Sequence, residues 1–173
     1  MSVEGVETMH SKPVYAALPP PLVGERRVLV TQDASLAEAV ELHGQLSADG
    51  QPVELASCAT FDGLTVRVLS LLSSSPVGTR LYVCGDESFL WRIHAVARDS
   101  GLLDEEIHLV KVGQQRDLYC VHCATRQHIA AESAVTCSGC GVRLTVREHF
   151  SRRLGAYMGV CLDPDQPHGE IQP

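Results

Sequence analysis

The sequence predicts an α/β protein in which a small parallel sheet is followed by a compact four-cysteine ribbon module and a short C-terminal helix. Three observations predict it. Short apolar runs alternate with segments of helical periodicity up to about residue 110. Two CxxC pairs, Cys120 with Cys123 and Cys137 with Cys140, follow with thirteen residues between them. Finally, Phe150, Leu154, Tyr157 and Met158 recur at helical spacing over residues 149–158, and Gly159 ends the run. The expected organisation is an extended arm (1–25), an α/β domain (26–112), a four-cysteine module (113–161) and a tail (162–173).

The arm carries Pro13, Pro19, Pro20 and Pro21 and little periodicity, so it reads as disordered or laid across a partner. Residues 27–31 form an apolar run suited to a buried parallel strand. Asp33 or Ser35 can cap the next helix, in which Leu36, Val40, Leu42 and Leu46 fall near helical spacing. Asp49 and Gly50 end it, and residues 52–56 make a second strand. Leu64, Val68, Leu71 and Leu72 line one face of a helix over 63–72, which the 73–76 stretch breaks. Strand 80–84, helix 88–100 and strand 107–110 complete an alternation that implies βαβ units with right-handed crossovers. The tail from Asp163 holds three acids and three prolines and reads as loose.

Apolar residues make up 45% of the 173, enough for a buried core, and no run of about eighteen of them would span a membrane. The first twelve residues lack an apolar signal core, which points to a cytoplasmic protein with reduced thiols. The net charge of −7 is unevenly spread: residues 1–110 hold fifteen acids against seven bases, whereas 111–161 hold seven bases against three acids. An acidic chain is a poor general nucleic-acid binder, while its basic cysteine segment could meet an acidic partner.

Each CxxC makes a turn with two sulfurs on one side, and two such knuckles face to face form a tetrahedral cage of four sulfurs. Gly141 gives the second turn room beneath the metal. Zn2+ suits this donor set first and iron second. A rubredoxin-like iron site carries Pro or aromatic residues around its knuckles, and only Tyr119 is present here. A thioredoxin-type pair would explain one CxxC but not two, and disulfides would need an oxidising compartment. His122 reads as a solvent-facing turn residue, and Cys58, Cys84 and Cys161 as ordinary thiols.

The run LYVCGDESFL (81–90), then a helix, then GLLDEEIHL (101–109), resembles the end of the pyridine-nucleotide domain in ferredoxin-reductase-like flavoenzymes of the phthalate dioxygenase reductase type. The likeness spans about residues 26–110. Two departures matter. That family's first strand leads into a glycine-rich pyrophosphate turn, whereas here the turn over 31–35 has no glycine and carries Asp33. Asp86 also stands where the family has proline. The expectation is a reductase-like fold retained and a nucleotide site lost.

The run CSGCGVRLTVREHFSRRLGAYMGV (137–160) resembles the C-terminal domain of the small-subunit family of bacterial dimethylamine monooxygenases. With the reductase-like half, the likeness covers about residues 26–161. It implies a heteromer that uses NADPH and O2 to convert dimethylamine to methylamine and formaldehyde. It further implies a larger subunit bearing the oxygen-activating haem, and another with flavin and a [2Fe–2S] cluster. This chain would then be a non-catalytic subunit with a structural zinc. A rubredoxin-like electron carrier and a zinc-ribbon adaptor are the alternatives. Arg147, His149, Arg152, Arg153 and Tyr157 are the candidate partner-docking residues, since arginine and aromatics are favoured where partners bury them.

Overall fold

The structure, a computed structural model, describes residues 12–15, 17–18, 20–22, 25–57 and 60–169. The first half forms β1 (Arg27–Thr31), α1 (Ala37–Leu46), β2 (Val53–Ala56), α2 (Phe61–Ser73), β3 (Arg80–Gly85), α3 (Glu87–Asp99) and β4 (Ile107–Lys111). The four strands are all parallel, in the order β2-β1-β3-β4. Central strands buried on both faces need apolar side chains throughout, which is why β1 and β3 read as continuous apolar runs. Val28, Val30, Leu81 and Val83 point to the side covered by α2 and α3, and Leu29, Tyr82 and Cys84 to the side covered by α1. The chain steps from β1 out to β2, then crosses back to β3, so strand order reverses between β1 and β3.

Asp86 caps α3 by accepting from the Phe89 amide at 2.8 Å, and Thr60 caps α2 by accepting from the Gly63 amide at 3.3 Å. The expected cap of α1 is corrected. Its N-cap is Leu36, without a side-chain bond, and Asp33 instead closes a local turn on the amide and hydroxyl of Ser35, both at 2.8 Å.

The second half is a five-stranded sheet of β5 (Arg116–Cys120), β6 (Arg126–Ile129), β7 (Ala134–Thr136), β8 (Arg143–Ser151) and β9 (Ala156–Cys161), in the order β6-β5-β9-β8-β7. Its two edges meet through one side chain. Gln127 on β6 donates to the Thr136 carbonyl at 3.2 Å and accepts from the Ser138 amide at 2.8 Å.

The expected C-terminal helix over 149–158 does not form. Residues 143–161 are a β8–β9 hairpin around a turn at 152–155, where Gly155 has φ +60°. Phe150 and Tyr157, seven apart and so on one face of a helix, are instead cross-strand partners with rings 5.1 Å apart. The hairpin wins because it buries both rings and satisfies the backbone of β5 and β8 on either side of β9. Three residues of β8, Arg147, Glu148 and His149, oppose the single Met158 of β9, so a bulge pushes them outward.

The halves share α3. Trp91, on that helix, is 6% exposed and belongs to the ribbon's core with Leu118, Leu144, Phe150 and Tyr157. Asp117 on β5 accepts from the Ser88 hydroxyl at 2.7 Å and lies 2.6 Å from His128 Nδ1. The described residues of the arm lie on their own chain. Tyr15 packs on the α2/α3 face of the parallel sheet and Leu18 on the α1 face, so the segment turns round the β4 edge. The described part of the tail is also folded. Arg143, at the start of β8, donates to the Pro167 carbonyl at 2.7 Å and accepts from the Leu162 amide at 2.8 Å. Residues 1–11, Cys58 and residues 170–173 lie outside the described residues.

Candidate metal centre and arginine hairpin

Cys120 ends β5, and Cys137 immediately follows β7, so each cysteine pair opens at the end of a strand and turns back into the next. The two knuckles have the same backbone. Cys120 N donates to Thr125 O and Cys137 N to Val142 O, both at 2.9 Å and both spanning five residues. Ala124 N donates to Cys120 O and Gly141 N to Cys137 O, again both at 2.9 Å. The residue four past each first cysteine takes a positive φ, 62° at Ala124 and 70° at Gly141. Ala124 is the one non-glycine residue with positive φ among the described residues.

The knuckles pack tightly against each other. A Cβ on Gly139 would sit 2.1 Å from Thr125 Oγ1, so the second turn can close on the first only because it has glycine there. All four sulfurs lie within 4.8 Å of one another. Cys120 and Cys140 are 3.9 Å apart, and Cys123 and Cys137 3.6 Å. A tetrahedron with metal–sulfur bonds of about 2.3 Å has edges of about 3.8 Å, so the donor set fits one tetrahedral ion. The backbone also prepares for negative sulfur, since the Gly139 amide donates to Cys137 Sγ at 3.4 Å.

Four thiols this close cannot all ionise without a cation. The hydrogen bond with Thr125, then the Thr125 amide, pull Cys123 down to about 6. Cys140 is helped towards ionisation by the Val142 amide, yet burial and the neighbouring sulfurs push it up to about 12. A bound cation removes that conflict by favouring the thiolate of every member. Cys120 and Cys137 are buried and Cys123 is exposed, so the cage is anchored on one side and open to solvent on the other. His122 is exposed at the tip of the first turn, as its position inside the knuckle implies.

The residues expected to dock a partner divide. Arg147, His149, Arg152 and Arg153 are all exposed on the bulge and turn of the β8–β9 hairpin, gathered by a strand pair and not along a helix face. The Arg152 guanidinium lies 5.3 Å from the centroid of the Trp91 ring. Tyr157 is the exception: it is 5% exposed within the ribbon's own core, and burial raises its phenol to about 12. It supports the hairpin from beneath and does not present itself to a partner. The β8 bulge and the hairpin turn, and not a helical stripe, face the arginines outward.

The crevice where strand order reverses holds side chains from both central strands. Gln32, just past β1, donates to Asp86 Oδ2 at 2.8 Å and accepts from the Asp86 amide at 2.9 Å. In open parallel sheets this is where ligands enter. Here a glutamine–aspartate pair bridges it, and the acid at its mouth is also the α3 cap. Cys84, at the end of β3, is fully buried, and burial raises its thiol to about 11, which removes it as a nucleophile at neutral pH.

Sequence reasoning missed Glu87. It begins α3, is 2% exposed, and accepts from the Tyr15 hydroxyl at 2.6 Å. The only hint was its place directly after Asp86, where a helix N-terminus favours an acid.

Comparison with known proteins settles the family. The family described as "Dimethylamine monooxygenase subunit DmmA-like, C-terminal domain" matches residues 117–160, and the corresponding N-terminal domain matches residues 45–107. A protein of Ectopseudomonas mendocina (strain ymp), named heme-dependent oxidative N-demethylase delta subunit, is 44% identical over 152 residues, covering 84% of this chain and 85% of the relative. The chain belongs to this DmmA-like family. Within the DmmA-like chain, the C-terminal match spans all four cysteines and the hairpin, and the N-terminal match runs from the end of α1 into the start of β4. Among the described residues no helix is long and apolar enough to cross a membrane.

Proposed function

We propose that this chain is an accessory, non-catalytic subunit of a cytoplasmic, heteromeric, haem-dependent oxidative N-demethylase. The complex would use NADPH and O2 to convert dimethylamine to methylamine and formaldehyde. A partner subunit would bear the haem, and another the flavin and [2Fe–2S] cluster. The observation that carries this reading is the 44% identity over 152 residues, which runs through both halves of the chain. Cys120, Cys123, Cys137 and Cys140 would hold one zinc, which with four protein sulfurs has no open position and serves the fold. The bridged crevice at Gln32 and Asp86, without a glycine-rich turn, supports assigning NADPH to a partner.

Docking on the haem-bearing subunit is assigned to Arg147, His149, Arg152 and Arg153, because they are exposed together on one hairpin of an otherwise acidic chain. Co-expression with the partner subunits, followed by size analysis, metal content and cofactor spectra, tests the assembly. Arg152→Glu with Arg153→Glu should abolish co-purification while the metal stays bound. Asp104→Lys with Glu105→Lys, on the other half, should matter less. If the double arginine variant still assembles and supports full demethylation, the hairpin is not the docking face.

A second reading, an iron-bearing electron carrier, draws on one feature: Cys123 is exposed, which would leave a short path from a redox metal to a partner. Elemental analysis separates the two. Stoichiometric iron with a visible thiolate band supports the carrier, and stoichiometric zinc with no such band the accessory role.

A further inference from the structure

We propose that the arm, through its described residues 12–15, 17–18 and 20–22, is an intramolecular strap, seated by Tyr15 on the buried carboxylate of Glu87, that fixes the angle of the ribbon on the parallel sheet and so positions the β8–β9 hairpin. The positioning half of this inference rests on the docking reading given above.

The strap touches each part of the molecule in turn. Lys12 pairs with Glu148 of the hairpin bulge at 2.5 Å. Tyr15 donates to Glu87 Oε1 at 2.6 Å, and its hydroxyl oxygen accepts from Trp91 Nε1 at 3.2 Å. Leu18 then packs on the opposite face of the sheet, against the α1 core.

Glu87 is where these parts meet. It is 2% exposed, and it has a charged neighbour in Lys111 of β4 at 3.5 Å. Glu87 Oε2 is buried without a hydrogen-bond partner, and Tyr157 of β9 lies beside the same carboxylate. A buried carboxylate tolerates few losses, because removing one partner exposes the full cost of its desolvation. The Tyr15 hydroxyl is the shortest bond Glu87 has. Tyr15 and Arg152 also grip the same indole, one at Nε1 and the other over the ring, so the arm and the hairpin share Trp91 as a common support.

Trp91 is the chain's one tryptophan, so its fluorescence reports this seam directly. The experiment uses the full chain, with Tyr15→Phe, Tyr15→Ala and, as a control, Lys12→Ala. Tyr15→Phe keeps the ring and should lower the melting temperature by roughly 2–6 °C. Tyr15→Ala should shift Trp91 emission to the red and speed subtilisin cleavage within the arm, N-terminal to β1, by roughly tenfold, through more frequent opening of the arm. Lys12→Ala removes only an exposed ion pair and should do neither. Unchanged emission and unchanged cleavage in Tyr15→Ala would overturn the strap. With the partner subunits present, Tyr15→Ala should reduce co-purification several-fold although every hairpin arginine is intact. Altered emission with full co-purification would overturn the positioning role, whereas the arginine reversals judge the docking face independently.

Discussion

The two cysteine knuckles share a backbone but not their residues. The first has His122, Ala124 and Thr125 where the second has Gly139, Gly141 and Val142. Their hydrogen bonds match in pattern and length. What differs is which knuckle gives way to the other. The second carries glycine where the turns collide and glycine where φ is positive. The first keeps side chains at both places, His122 and Ala124, and the Thr125 that follows bonds to the Cys123 sulfur at 3.2 Å. The second knuckle therefore closes on the first and is intolerant of added atoms. The first accepts backbone strain at Ala124 and supplies the side chain against which its partner packs.

The largest effect expected from breaking this pair comes from the ligands. Cys137→Ser should abolish metal binding and leave the C-terminal half protease-sensitive, since so small a ribbon cannot hold itself by apolar burial alone. Cys123→Ser, at the exposed corner, should give the same loss with slower proteolysis. Metal analysis and limited proteolysis of the two variants measure the contrast.

The next effect separates Gly139 from His122, the equivalent position. Gly139→Ala forces Thr125 aside and should cost about 1–3 kcal/mol in thermal unfolding of the metal-bound protein. His122→Ala, on an exposed tip, should stay within about 0.5 kcal/mol. Equal costs would mean that the knuckles do not close on each other as described.

A smaller and opposite pair follows from φ. Gly141→Ala should destabilise by about 1 kcal/mol, whereas Ala124→Gly should stabilise by a few tenths, roughly 0.5 kcal/mol, as relief of strain exceeds the added chain entropy. Denaturant titration resolves both signs. Smallest of all, Thr125→Val makes the first knuckle chemically like the second. It should cost about 0.5–1 kcal/mol and raise the Cys123 pKa from about 6, which alkylation of the metal-free chain across pH would follow.

The alternation of strands and helices in the parallel half was legible because a central parallel strand must be apolar on both faces, and its helices on only one. The runs at 27–31 and 80–84 and the spacing of Leu64, Val68 and Leu72 carry that information locally. The cage was legible for a similar reason: a CxxC turn is defined by its own four residues. The hairpin was not. The spacing of Phe150, Leu154 and Tyr157 satisfies a helix, and only the neighbours of β9 decide against it. Gly155 and Gly159 were the available signals, the first at the turn and the second where a Cβ would meet Leu144 and Leu118 at 2.9 and 3.2 Å.

Sequence by itself thus determined the βαβ succession, the pairing of the four clustered cysteines and the concentration of arginines near residue 150. Tertiary structure decided that those arginines sit on a strand bulge, that Tyr157 lies beneath them, and that Tyr15 returns to its own chain. The physical reason is range. Periodicity and turn chemistry act within a few residues, whereas Tyr15 and Glu87 are 72 positions apart, and their pairing exists only once the sheet, the ribbon and the arm have met.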